Sequence, residues 1–238
     1  MEIKLTNENC RRLHYLLAWE QNCIRFHYDT ATGDFVGTRG ESATIGFGGW
    51  KNEEADNGIY IMFEKGEIVN HEGGKKTRER IVRVGINREN GNLIKRIKKH
   101  YTGTMRTSVL RKYVGSCFLN KDNPEYRPEY ETNKKLLEQR ISEYIQNDIT
   151  FALIILPNKT QREELESKLI STIAHCGECQ PSANWLGKYC SEPKIANGKL
   201  WNKQGLNAEP VSNEDLDTIL SKKLDSLTYI QCKYETLL

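Results

Sequence analysis

The chain has 238 residues, of which 37% are hydrophobic and 28% are charged, the composition of an ordinary soluble globular protein with one sizeable domain. No stretch approaches the roughly 20 consecutive apolar residues that cross a bilayer, and the polar start MEIKLTNENCRR lacks the apolar region of a secretory signal. We therefore expect no membrane segment and a cytoplasmic location.

The seven cysteines are an odd number and are scattered along the chain, which predicts reduced thiols rather than a disulfide framework. Cys176, Cys179 and Cys190 have a spacing close to that of zinc ligands, but a structural zinc site usually has two well-spaced ligand pairs. A plain loop is favoured here. A zinc-stabilised interaction protein built on these three cysteines is the alternative.

Positive charge is concentrated in one segment. Between Arg88 and Lys112 there are eight Lys and Arg residues and one Glu, so the segment carries +7 and the rest of the chain −4, because the whole carries +3. Such asymmetry is typical of a surface that binds a phosphate backbone, although a solvated helix face would look the same. The candidate nucleic-acid contacts are Lys95, Lys98, Lys99, Arg106, Arg111 and Lys112.

Hydrophobic patterning predicts the elements in chain order. A helix from Thr6 or Asn7 to about residue 21 is followed by two short strands, CIRFHYD and SATIGFGGW, and by strands over 58–64 and 80–86. Helices follow at about 91–101, 106–113 and 131–146, then a buried strand in ITFALIIL, a helix over 161–175 and a last helix over 213–224.

Strand alternation assigns the faces of the two central strands. In the first, one face carries Ile59, Ile61 and Phe63 and the other carries Tyr60, Met62 and Glu64. In the second, one face carries Val82, Val84 and Ile86 and the other carries Ile81, Arg83 and Gly85.

One carboxylate of the predicted helix 161–175 falls among apolar side chains. At about 100° per residue, the apolar arc runs from about 0° to about 140°, and Glu166 falls inside it at about 100°. The arc consists of Leu165, Leu169, Ile173 and Ile170. A buried carboxylate has to be neutralised, paired or bound to metal. A structural salt bridge and a functional role both remain open.

Arg96 and His100 lie together on one flank of the predicted helix 91–101, at about 300° and 340° when Leu93 is at zero. A guanidinium beside an imidazole suits the binding of a phosphoryl oxygen. The ordinary flank of a basic amphipathic helix is the alternative.

The order of these features resembles the GIY-YIG nuclease superfamily. The matching pieces are Gly58-Ile59-Tyr60, Arg83-Val84-Gly85, NLIKRIKKH with Arg96 and His100, LESKLI with Glu166, and PSANWLG with Asn184. When VGSCFL and GKLWNKQGL are included, the resemblance extends over about 58–210. Over this range the chain is similar to a bacterial branch of the superfamily that has RVG in place of YIG.

The resemblance implies an α+β fold with a small mixed three-stranded sheet flanked by helices, and a metal-dependent endonuclease that hydrolyses phosphodiester bonds in DNA. Tyr60 would act as general base or orient the water, and Glu166 would be the ligand of one divalent cation, Mg²⁺ or Mn²⁺. Arg96 would stabilise the charge on the phosphoryl group, His100 would assist it, and Asn184 would organise the Glu166 end.

Arg83 departs from the family pattern, because the superfamily has a second tyrosine hydroxyl at this position. A fixed cation beside Gly85 could hold phosphate or lower the pKa of Tyr60. The alternative is a catalytically inactive nucleic-acid-binding protein of the same fold.

We therefore divide the chain into an N-terminal extension (1–50), a nuclease-like domain (51–210) and a C-terminal helical segment (211–238). Trp185 and Trp201 could stack on bases, although packing is the more common role of tryptophan in such a segment. Whether two chains act together as a homodimer stays open.

Overall fold

The structure is a computed structural model that describes residues 2–17, 24–37, 44–45, 56–71, 78–121 and 133–222. The described strands are β1 (Arg25–Tyr28), β2 (Phe35–Gly37), β3 (Thr44–Ile45), β4 (Gly58–Val69), β5 (Arg78–Ile86) and β6 (Ile149–Ile155). They form one sheet in the order β3-β2-β1-β6-β4-β5. Helices cover both faces of this sheet, so the predicted α+β class is confirmed.

The predicted size and type of the sheet are wrong. It has six strands rather than three, and each strand pair in the described residues is antiparallel rather than mixed. The three predicted strands are present as β4, β5 and β6. The sheet does not end at β6, because Arg25 and Phe26 of β1 pair with it. CIRFHYD is confirmed as β1, and β2 was not predicted. Of SATIGFGGW only Thr44 and Ile45 are described, and they form β3, whereas 42–43 and 46–50 lie outside the described residues.

The helices of the described chain follow the predicted order. They are α1 (Glu2–Leu17), α2 (Leu93–Thr102), α3 (Val109–Lys121), α4 (Lys134–Asp148), α5 (Lys159–His175), α6 (Pro193–Ala196) and α7 (213–222). α1 begins at Glu2, before the predicted start at Thr6 or Asn7, and α6 was not predicted. α3 begins later and ends later than predicted, and 18–21 and 223–224 of two predicted helices lie outside the described residues. Asn133 and Asn158 cap α4 and α5 by accepting from backbone N–H groups of the first turn. No described helix has the length and hydrophobicity needed to cross a membrane.

Each face of the sheet has its own core. Tyr60 and Met62 pack with α2, α3 and α4, while Ile59, Ile61 and Phe63 pack with α1, α5 and α7, so the predicted faces of β4 are confirmed. The predicted faces of β5 are wrong at two positions, because Ile81 joins the second core and Val82 the first. A β-bulge causes this shift, since Met62 pairs with Arg83 but Phe63 pairs with Ile81.

Polar side chains fix α2 against the start of β4. Asp56 accepts from the backbone N–H of Ile94 through Oδ1 at 2.8 Å and from the N–H of Leu93 through its carbonyl. Asn87 accepts from the N–H of Gly58 at 3.0 Å. The bonds to Asp56 satisfy backbone N–H groups at the start of α2, where no N-cap side chain accepts them. They also hold α2, which carries Arg96 and His100, beside Tyr60.

Candidate active site

Tyr60 is buried in β4 opposite Gly85 of β5. A Cβ added at Gly85 would lie 2.2 Å from Tyr60 Oη and 2.3 Å from its Cζ. The tyrosine ring therefore occupies the space that any larger residue at position 85 would need. The glycine of the RVG sequence is required by this close approach rather than by a turn.

The hydroxyl of Tyr60 contacts the imidazole of His100. Tyr60 Oη lies 2.9 Å from Nε2, and Nδ1 lies 2.7 Å from Ser108 Oγ. Burial lowers the pKa of His100 well below its usual value, and the nearby charges of Arg83, Arg96 and Arg111 lower it further. The ring is therefore neutral, with one nitrogen as donor and the other as acceptor.

Four of the six predicted catalytic residues line one cavity of about 390 Å³. They are Tyr60, Arg83, Arg96 and Glu166, from β4, β5, α2 and α5. His100 reaches the cavity through its contact with Tyr60. The cavity is also lined by Arg88, Tyr113, Asn202 and Lys203, which the sequence analysis did not assign to the site.

Arg83 shares the Tyr60 face of the sheet, as predicted, because it pairs with Met62 while Gly85 pairs with Tyr60. One of its terminal nitrogens donates to the carbonyl of Trp201 at 2.5 Å, and its buried Nε has no hydrogen-bond partner among the described residues. Arg83 is thus held at the base of the cavity with unused donor capacity.

Glu166 is a partly buried carboxylate facing this cavity. Burial raises its pKa to about 7. The guanidinium groups of Arg83, Arg88 and Arg96 oppose this rise without cancelling it. Within the described residues Glu166 makes no hydrogen bond and no ion pair within 4.0 Å, so the structural salt bridge considered for it is not found there.

Asn184 does not lie in the cavity. Its side chain is exposed, and its backbone N–H donates to Ser182 Oγ at 3.2 Å. Asn202 takes the position beside β5, where its side chain accepts from the N–H of Val84 at 3.0 Å and donates to the carbonyl of Val84 at 2.8 Å. Asn202 lies in the GKLWNKQGL stretch, which the sequence analysis used only as part of the resemblance, so this asparagine was missed.

The two tryptophans are buried rather than displayed at a rim. Trp185 and Trp201 are each 1% exposed, and both donate from Nε1 to Glu64 Oε2 at 3.2 Å. Burial raises the pKa of Glu64. The backbone N–H of Trp201 donates to the carbonyl of Val82 at 2.7 Å, so this segment closes the outer edge of β5.

The basic segment is divided between surface and interior. Lys95, Arg106 and Lys112 are exposed and Lys98 is half-buried. Lys99 lines a cleft that adjoins the cavity and shares Arg88 and Arg96 with it. Arg111 is 0% exposed and is not available to nucleic acid, because its guanidinium bonds Glu138 at 2.8 Å and the carbonyls of His100 and Tyr101.

The three cysteines considered for zinc do not form one site. Cys190 belongs to the core on the Tyr60 face, and its Sγ lies 3.5 Å from Ser116 Oγ. Cys176 and Cys179 belong to the core on the opposite face. The three cysteines are close in sequence, which suggested a common site, but the sheet separates Cys190 from Cys176 and Cys179.

A family model described as the GIY-YIG domain matches residues 49–226. No curated protein and no solved structure gives a significant match. The matched range contains Tyr60, Arg83, Arg96 and Glu166, which meet at the cavity. It covers well over half of the chain, and the protein therefore belongs to the GIY-YIG nuclease superfamily.

Proposed function

We propose that the protein is a metal-dependent endonuclease that hydrolyses phosphodiester bonds in DNA. The observation that carries this proposal is the meeting of a tyrosine, two arginines and a carboxylate from four separate elements at one cavity. Metal-dependent phosphodiester hydrolysis uses a group that orients or deprotonates water, cations around the phosphate and a ligand for a divalent ion.

The donor set of the cavity fits a divalent cation. Glu166 offers a carboxylate without an ion-pair partner within 4.0 Å among the described residues, and oxygen ligands are those that Mg²⁺ or Mn²⁺ prefers. One protein carboxylate is sufficient where water and substrate phosphate complete the coordination. Bound at Glu166, the ion would supply Lewis-acid stabilisation of the phosphate and the leaving oxygen.

Tyr60 and His100 together would orient the attacking water. When Nδ1 of His100 carries the proton and faces Ser108, Nε2 accepts the hydrogen bond from the Tyr60 hydroxyl. The lowered pKa of His100 keeps Nε2 free of a proton at neutral pH. With its own proton directed at His100, the Tyr60 oxygen can accept a hydrogen bond from water at the cavity and so orient the nucleophile.

Arg83 and Arg96 would hold the scissile phosphate. Both line the cavity with Glu166, and a guanidinium presents a fixed fork of donors to phosphate oxygens. The anchoring of Arg83 to the carbonyl of Trp201 leaves the rest of its fork available. Arg83 thus supplies a cation, rather than a second hydroxyl, at the position where the superfamily has tyrosine.

DNA would approach along the cleft that Lys99 shares with Arg88 and Arg96. Exposed Lys95, Arg106 and Lys112 extend positive charge around it. Lysine and arginine contacts to phosphates release counterions and provide affinity without reading sequence.

A cleavage assay with plasmid, single-stranded DNA, branched DNA and RNA tests the proposal. We expect nicking of at least one DNA substrate in Mg²⁺ or Mn²⁺ and none in EDTA. DNA binding without cleavage under every metal condition would instead identify an inactive nucleic-acid-binding protein.

A further inference from the structure

A second group of metal-ligating side chains lies on the face of the sheet opposite Tyr60. Cys10 is on α1, His71 follows β4, and Cys176 and Cys179 follow α5. A further imidazole, His14, stands beside them on α1. All five are buried, with exposures from 0% to 3%, although they come from three distant parts of the sequence.

The donor atoms have the spacing of ligands around a single ion. Those of Cys10, His14, His71 and Cys179 all lie within 4.8 Å of one another. The Sγ atoms of Cys10 and Cys179 are 3.3 Å apart, and Cys179 Sγ lies 4.0 Å from His71 Nε2. Tetrahedral zinc, with bonds of about 2.0–2.3 Å, holds its ligand atoms about 3.3–3.8 Å apart.

The two imidazoles differ in what their nitrogens already bind. His71 Nδ1 lies 2.7 Å from Glu178 Oε2, and Glu178 is held in turn by Arg11. A carboxylate on Nδ1 orients a metal-binding imidazole and leaves Nε2 as the ligand atom. His14 Nε2 instead accepts from the N–H of Ile81 at 3.3 Å, and His14 Nδ1 lies 3.0 Å from the carbonyl of Cys10.

Cys176 supplies the remaining thiol. It is 0% exposed, belongs to the same core as Cys10 and Cys179, and stands three residues before Cys179. The Cys-Gly-Glu-Cys sequence has the Cys-x2-Cys spacing of zinc ligands, so both of its thiols can reach one ion.

We propose that the protein binds one structural Zn²⁺ through Cys10, His71, Cys176 and Cys179. Three thiolates and one imidazole around a buried ion suit zinc, whereas carboxylate and water suit magnesium. The ion joins α1 to the end of α5 and to the β4–β5 hairpin. It is distinct from the ion at Glu166, because Glu166 and Cys176 are separated by about 15 Å along the axis of α5.

Metal analysis of the full chain, purified without added metal or a histidine tag, tests the proposal. We expect about one zinc per chain, and an X-ray absorption spectrum with three sulfur ligands at about 2.3 Å and one nitrogen ligand at about 2.0 Å. Glu166→Ala should retain the zinc even if cleavage is lost, which separates this site from the proposed nuclease site. Wild-type protein without stoichiometric zinc would overturn the proposal.

Substitutions identify the ligands. Cys179→Ser should lose most of the zinc, whereas the matched control Cys190→Ser, on the other face of the sheet, should retain it. His71→Asn should lose zinc and His14→Asn should keep it, and the reverse result would overturn the assignment of His71. If Cys179→Ser does not fold, the absorption spectrum of Co²⁺-substituted wild-type protein replaces it as the test. Bands of tetrahedral thiolate coordination would support the site, and their absence would contradict it.

Discussion

Tyr60 and Gly85 face each other across β4 and β5 so closely that a Cβ on Gly85 would lie 2.2 Å from Tyr60 Oη. The hydroxyl is thereby held between the backbone of β5 and His100 Nε2, which lies 2.9 Å from it. The position of the Tyr60 hydroxyl thus depends on the absence of a side chain on the neighbouring strand.

Gly85→Ala should displace Tyr60 and cost about 1–3 kcal/mol of unfolding free energy, together with most of the cleavage activity. Urea unfolding of the single variant and of the same substitution in a Tyr60→Ala background measures the coupling. Because alanine at position 60 vacates the contested space, the cost should largely disappear there. An equal cost in both backgrounds would contradict the close approach.

Tyr60→Phe removes only the hydroxyl and should lower the rate of cleavage by at least about 100-fold. DNA binding in EDTA should be unchanged, and the loss of stability should be about 1 kcal/mol because His100 Nε2 loses a partner. Tyr101→Phe is the matched control, since it removes a buried hydroxyl that donates to the carbonyl of Ile149 outside the cavity. Equal single-turnover cleavage rates for Tyr60→Phe and Tyr101→Phe would show that the Tyr60 hydroxyl is structural rather than catalytic.

Glu166 should make stability depend on pH when metal is absent. Its pKa is about 7 in the folded chain and about 4.5 when exposed, so its favourable contribution is complete below pH 4.5 and is lost as pH rises through 7. Relative to Glu166→Gln, the wild type should lose up to about 3 kcal/mol of unfolding free energy across this range in EDTA. Mg²⁺ should reverse the loss at pH 8, and parallel stability curves for the two proteins in EDTA would refute the perturbed carboxyl.

Lys99→Ala should weaken DNA binding without changing its sequence preference and should reduce the slope of log K against log salt by about 0.9. Lys135→Ala, which removes an exposed lysine of α4, is the control and should leave both quantities unchanged. Fluorescence anisotropy over a range of salt concentrations measures both variants. An unchanged slope of log K against log salt for Lys99→Ala would show that DNA does not contact Lys99 and does not follow this cleft.

Local pattern was sufficient to predict the parts of the site that lie on regular elements. The alternation of β4 assigned Tyr60 to its face. The helical periodicity of α2 placed Arg96 and His100 on the flank of its apolar stripe, and that of α5 placed Glu166 inside its apolar arc. These residues meet because their elements pack on neighbouring parts of the sheet. Helical or strand geometry alone was enough to state their orientation.

What the sequence did not predict depends on long-range contacts. The bulge beside Met62 reverses the faces of Ile81 and Val82, and no local signal marks it. Arg111 has the charge of a DNA contact, but Glu138, distant in sequence, holds it in the interior. Asn202 lies beside β5 because the segment around Trp201 closes the edge of that strand, which no local pattern predicts. Cys10 and His71 approach Cys179 only through tertiary packing.

The central claim, that this cavity is the active site of a metal-dependent nuclease, is tested most directly by cleavage of supercoiled plasmid by Glu166→Ala and Glu163→Ala. Both substitutions remove a carboxylate from α5, but Glu163 is exposed and does not line the cavity. We predict that Glu166→Ala lowers the Mg²⁺-dependent rate by at least about 100-fold, while Glu163→Ala stays within about threefold of wild type. Wild-type cleavage by Glu166→Ala would contradict the account.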